Sequence, residues 1–180
     1  MNSNLNTNAI TNTKNTSSVE QNKRQDKIVI CDDDKDIVRA LEIYLSNRDY
    51  ELLSAYTGRE ALDYVKKGDI SLVLLDVVMP VMDGFEVLEK MNSKGIIDDI
   101  PVIMISSEDS NTFIRTAYEM GVSDYIRRPY DAMIVRRRVY NTIKLYAKQR
   151  RLTSILSEQM KDKEEPPCVW NNARSPAAGV

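Results

Sequence analysis

LVLLDVVMPVMDG, residues 72–84, decides the fold. Four apolar residues, Leu72 to Leu75, run directly into one carboxylate, Asp76. That pattern fits a buried strand with an acid at its mouth. Pro80 removes a backbone donor and ends regular pairing. Asp83-Gly84 then turns the chain, and Phe85, Val87, Leu88 and Met91 resume at helical spacing. Strand, acid-led loop and returning helix place chemistry at the carboxyl end of a parallel sheet.

The same unit repeats on both sides. Ile28-Val29-Ile30-Cys31 is a short buried strand ending in Asp32-Asp33-Asp34, followed by Ile37, Val38, Leu41, Tyr44 and Leu45 at helical spacing. Tyr50 to Ala55 forms a second strand, and Gly58 opens a helix with Ala61, Leu62 and Val65 that closes at Lys67-Gly68. After the Leu72 unit, Pro101 leads a strand, Val102 to Ile105, that ends in Ser106-Ser107. A helix with Phe113, Ile114, Ala117, Tyr118 and Met120 stops at Gly121. The fifth strand, Asp124-Tyr125-Ile126, meets Arg127-Arg128-Pro129, and a last helix starts near Asp131 with a core stripe of Met133, Val135, Val139, Ile143 and Tyr146. Five alternations with short connections predict an α/β fold with a parallel sheet and right-handed crossovers.

Composition narrows the chemistry. Histidine is absent, which rules out a Ser-His-Asp triad, His-ligated zinc and a phosphohistidine formed on this chain. The two cysteines, Cys31 and Cys168, are too few for a disulfide framework, and Cys31 reads as a small core residue. No apolar run approaches membrane-spanning length and the N-terminus carries no apolar signal region, so the expected location is cytoplasmic, without a membrane partner. Residues 1–26 are rich in Asn, Thr and Ser and are expected to form a disordered arm.

The polar residues that end the strands are Asp32-Asp33-Asp34, Asp76, Ser106-Ser107 and Arg128, brought together from four strands. Converging carboxylates repel, and an all-oxygen ligand set favours Mg²⁺, which takes one or two carboxylates plus phosphate oxygens. A hydroxyl and a guanidinium opposite could hold the remaining phosphoryl oxygens. Asp76 could then be the nucleophile that becomes an aspartyl-phosphate. Strand-end acids also cap helices, and a single Asp would be read that way. The whole constellation favours a site.

Over about residues 27–148 the chain resembles the receiver domain of two-component response regulators. The resemblance rests on the acidic cluster after the first strand, on DVVMPVMDG, on PVIMISS and on GVSDYIRRPYD, in order and at the family's spacing. It implies a flavodoxin-like (βα)5 doubly wound sheet of strand order 2-1-3-4-5. It implies Asp76 as phosphoacceptor, taking its phosphoryl group from a histidine kinase. Asp33 would bind Mg²⁺ directly, Asp32 through water, and the Val78 carbonyl would complete the protein ligands. Ser106 would be the hydroxyl that swings toward the phosphoryl group, Tyr125 the aromatic switch, and Pro129 would follow a cis peptide bond. The family's usual lysine before that proline is replaced here by Arg128, a wider planar fork. Arg128→Lys is expected to alter phosphorylation rate or lifetime modestly. Val78 cannot orient an attacking water, although Glu108 nearby is acidic, so a long-lived acyl phosphate is expected.

Between Arg127 and Arg151 there are nine Lys or Arg against one acid, Asp131. A solvated helix face is the plain explanation. The resemblance offers a homodimer through helix 4, strand 5 and helix 5. Direct nucleic-acid binding is not expected, since no recognition helix follows. Residues 149–165 read as a helical extension and 166–180 as an irregular tail too short for an effector domain. Two rival readings remain: a pseudo-receiver that recognises partners without phosphorylation because of Arg128, and a haloacid-dehalogenase-like phosphatase with Asp32 and Asp34 as its D-x-D pair.

Overall fold

The computed structural model describes residues 25–47, 49–108 and 110–161. Most of the expected N-terminal arm and the irregular tail lie outside them. The strands are β1 (Asp26–Cys31), β2 (Tyr50–Ala55), β3 (Leu72–Asp76), β4 (Val102–Ser106) and β5 (Asp124–Arg127). The helices are α1 (Lys35–Leu45), α2 (Gly58–Lys67), α3 (Gly84–Asn92), α4 (Asn111–Glu119) and α5 (Ala132–Lys161), with a single 3-10 turn at Ile96–Asp98. All strand pairs are parallel and the order is β2-β1-β3-β4-β5, the flavodoxin-like arrangement.

Alternation along the strands builds two cores, one on each face of the sheet. Val29, Cys31, Val73, Leu75 and Met104 face α2 and α3, together with Ala117 of α4. Ile28, Ile30, Leu72, Leu74, Ile103 and Ile105 face α1 and α5, where Val38, Leu41, Val135 and Val139 complete the packing. Every residue of β3 and β4 is buried, which is why those strands read as continuous apolar runs rather than alternating ones. β2 lies at the edge and is mostly half-buried.

The helix starts are specified locally, and they sit on the rim where the strands end. Asp34 caps α1 by accepting from the Asp36 N–H, and Thr57 caps α2 by accepting from Glu60. Asp83 and Glu86 form a reciprocal capping box at α3, and Ser110 accepts from Phe113 at α4. Each such cap stabilises its helix by about 1 kcal/mol. Gly84 permits α3 to begin against the end of β3. A Cβ there would lie 2.4 Å from the Asp76 carbonyl oxygen and 2.9 Å from Met104 Cε.

Met133, expected in the core stripe of the last helix, is exposed instead, and so are Phe113 and Tyr118 of the apolar set on α4. Met133 lies two residues before Val135, and two residues turn a helix by about 200°, so the pair cannot share a face. On α4 only Ala117 is fully buried, because this short helix meets the sheet edge along a narrow line. α5 is a single unbroken helix of 30 residues that passes Lys148 without a break.

Candidate functional site at the carboxyl rim

Four strand ends supply the site. Asp32 follows β1 directly, held by its N–H donating to the Ala55 carbonyl (3.2 Å). Asp76 closes β3, and Ser106 closes β4 beside it in register, since Asp76 pairs with Ile105. Arg128 follows β5, its N–H donating to the Ser106 carbonyl at 2.8 Å, and the Arg128–Pro129 peptide is cis. Asp32, Asp76 and Ser106 are the buried polar residues of the described chain. Their position follows from the topology: three buried, apolar strands end on one rim, and each first residue able to escape the core is polar.

One oxygen from each of Asp32, Asp33 and Asp76 lies within 4.8 Å of the others. Arg128 enters between the two buried acids. Its Nη2 donates to Asp32 Oδ2 and stands 3.3 Å from Asp76 Oδ1. Asp32 also accepts from the Asp34 N–H through Oδ1, at 2.9 Å. Asp76 Oδ1 is buried and accepts no hydrogen bond.

Burial dominates the titration of these acids. It raises Asp76 from 3.8 to about 6; Arg128 pulls it down, and Asp32 and Asp33 push it up. Asp32 is also raised by burial, against the Asp34 N–H and Arg128. The Cys31 thiol, next in sequence to Asp32, is pushed up to about 12 by burial and the neighbouring acids, so it stays protonated and inert. Three carboxylates face one guanidinium, so acidic groups outnumber basic ones in the pocket. An all-oxygen donor set, three acids against one base and a buried carboxylate oxygen with no hydrogen-bond donor together suit a hard divalent cation such as Mg²⁺. Asp32, Asp33 and Asp76 would hold it.

Beside the acids stands a hydroxyl pair joined through one residue. Ser106 Oγ accepts from the Glu108 N–H at 3.1 Å, and the Tyr125 hydroxyl donates to the Glu108 carbonyl at 2.7 Å. Tyr125 is buried in this arrangement. Val78, in the loop after Asp76, turns its side chain outward. Asp34 is occupied as the α1 cap and stands outside the carboxylate cluster. Two relations were not foreseen from sequence: the reach of Arg128 to Asp32, and the backbone of Glu108 as the shared partner of Ser106 and Tyr125. The first was signalled only by the substitution of arginine for lysine; the second involves backbone atoms and leaves no signal.

A parallel five-stranded sheet of order β2-β1-β3-β4-β5 with polar residues gathered on its carboxyl rim defines the class of doubly wound, flavodoxin-like α/β domains. The chain matches the response regulator receiver domain over residues 28–140, and it belongs to that family. It is similar to the regulatory protein VanR of Enterococcus faecium, 32% identical over 123 residues, covering 68% of this chain and 52% of that protein. It is also similar to the probable transcriptional regulator ycf27 of Galdieria sulphuraria, 40% identical over 108 residues, covering 60% of this chain and 41% of the other. Among solved structures, the CheY-like response regulator receiver domain protein of Methanospirillum hungatei JF-1 superposes with a TM-score of 0.64 at 25% identity, over 69% of this chain and 98% of that one. The chain thus spans about half the length of the curated relatives it matches. Among the described residues no helix is long and apolar enough to cross a membrane.

Proposed function

We propose that this receiver takes a phosphoryl group from a histidine kinase onto Asp76 and uses it to change a partner or dimer face in the cytoplasm. The observation that carries this is the Asp76 carboxylate: buried, without a hydrogen-bond donor on Oδ1, within reach of two further acids and faced by Arg128. An Asp76 oxygen attacks phosphorus in line, the bond from phosphorus to the donor nitrogen breaks, and the nitrogen leaves with the electron pair. A bound Mg²⁺ would neutralise charge on the phosphoryl oxygens. Arg128 is placed to pair with a phosphoryl oxygen on the other side, and Ser106 to donate its hydroxyl once released from Glu108. Catalysis here is positioning and charge, so the donor can equally be a small acyl phosphate.

The Ser106–Glu108–Tyr125 arrangement is the proposed switch. Phosphorylation draws Ser106 toward Asp76, the Glu108 loop follows, and Tyr125 settles with it, altering the surface of α4, β5 and α5. That surface is proposed as the homodimer face, with neither nucleic acid nor membrane contacted directly by this domain.

A second reading is favoured by one observation. Arg128 already bridges Asp32 and Asp76, so the chain could be a phosphorylation-independent interaction module. Intact mass after incubation with Mg²⁺ and acetyl phosphate separates the two, with Asp76→Asn alongside. A gain of one phosphoryl group in the native chain alone supports the switch; no gain with acetyl phosphate or phosphoramidate supports the module.

A further inference from the structure

α5 is far longer than its sheet requires. Val135, Val139 and Ile143 bury against the core, and farther along the helix the Tyr146 hydroxyl meets Ser123 Oγ (3.1 Å) and Arg150 Nη1 donates to the Asp99 carbonyl (3.2 Å). The helix then continues from Arg151 to Lys161 with every described side chain exposed. Eleven residues form about 16 Å of helix at 1.5 Å each. An isolated helix of that length is marginal in water, because its turns lack tertiary support.

This stretch is not polar all round. Leu145, Leu152, Ile155, Leu156 and Met160 are between 41% and 72% exposed, large apolar side chains with nothing covering them. At 3.6 residues per turn, Leu145, Leu152 and Leu156 fall within about 40° of one another and about 120° from the core-facing Val135–Val139–Ile143 side. The stripe is therefore turned away from the sheet. It lies in line with Arg138, whose Nη1 donates to Asp124 Oδ1 of β5 at 2.6 Å, so it continues the α4–β5–α5 side of the domain.

We propose that residues 142–161 of α5 form a parallel two-stranded coiled coil with a second copy of this chain, independently of phosphorylation. The occupant is set by the heptad. With Leu145 and Leu152 at d, the a positions are Thr142, Gln149 and Leu156, so every layer of the seam meets its own equivalent across a two-fold axis. In parallel register Ile155 at g meets Met160 at the partner's e, which covers the two remaining apolar side chains. In the antiparallel register Lys148 would face Ile155 instead, burying a charge against an apolar side chain. Thr142 and Gln149 at a and Gln159 at d are polar layers, which weaken the seam while restricting its register. Three turns of seam beyond the domain make a weak dimer on their own, one seen at tens to hundreds of micromolar protein.

The test is the full chain in sedimentation velocity from 5 to 300 µM, without phosphodonor. A mass rising from monomer toward dimer is expected for the native chain and equally for Asp76→Asn. Leu152→Glu should weaken association at least tenfold with unchanged circular dichroism from the α/β core, because Leu152 is 63% exposed and outside both core clusters. In a Cys168→Ser background, Leu152→Cys should cross-link to a dimer under mild oxidation, while Ser154→Cys, on the opposite side of the helix, should not. A chain that stays monomeric at 300 µM, or a dimer that survives Leu152→Glu, overturns the proposal. Dimerisation that needs phosphodonor and is abolished by Asp76→Asn overturns it too, and assigns the dimer to the α4–β5–α5 face alone.

Discussion

Replacing Asp76 by asparagine removes the group that makes this pocket costly to fold. Its carboxyl titrates near 6 in the folded chain against an ordinary 3.8, because burial disfavours the charged form more than Arg128 favours it. The folded state thus binds this proton more tightly than the unfolded chain. The group's contribution to stability is fully present below about pH 4 and is lost as pH rises through 6. Two pKa units correspond to about 3 kcal/mol at pH 7.5, falling to about 1.5 at pH 5 and about 0.5 at pH 4. Asparagine keeps the shape and carries no charge, so Asp76→Asn should be more stable than the native chain by about 3 kcal/mol at pH 7.5 in EDTA. For a domain of this size that is a rise in Tm on the order of 10 °C. The assay is urea unfolding followed by circular dichroism at pH 4, 5, 6 and 7.5 without divalent cations. Equal or lower stability of Asp76→Asn at pH 7.5, or a gain that does not shrink toward pH 4, refutes the burial argument.

Three further outcomes follow from the same geometry. Arg128→Lys loses the reach to Asp32, so thermal unfolding against Mg²⁺ concentration should show affinity raised by roughly three- to tenfold; unchanged or weaker affinity means that the guanidinium does not compete for these oxygens. Gly84→Ala places a Cβ against the Asp76 carbonyl and should cost about 1–3 kcal/mol by overpacking, with phosphorylation slowed because the strand end must shift; a chain as stable as native would show that α3 can move aside. With Val78 unable to orient water, phosphorylated Asp76 should persist for minutes or longer by acid-quenched mass measurement, and Val78→Asn should shorten that time; a native lifetime of seconds contradicts it.

The rim was largely legible in the chain itself. Ile30-Cys31-Asp32, Leu75-Asp76 and Ile105-Ser106 each pass from apolar to polar in one step, because a strand covered on both faces admits polar atoms only where it emerges. The parallel alternation then dictates that these steps share one edge. Less could be read from helix periodicity. Phe113, Tyr118 and Met133 look like core residues by type, yet α4 at a sheet edge and the first turn of α5 bury too narrow a stripe to take them. Nor could spacing show that Arg128 would span two acids, since that depends on how far β5 ends from β1 across two intervening strands. The continuation of α5 was visible as periodicity, but its isolation from the domain was not, because a stripe that packs at home and one that packs elsewhere have the same spacing.

Both hydroxyls of the Ser106–Tyr125 pair are held by the main chain of Glu108, never by its carboxylate. A latch made of peptide atoms places no demand on the side chain that hangs from it. Position 108 can therefore change in charge and size without breaking either hydrogen bond. What the side chain at 108 does and what its peptide holds are thus separable by mutation, being set at one residue by different atoms.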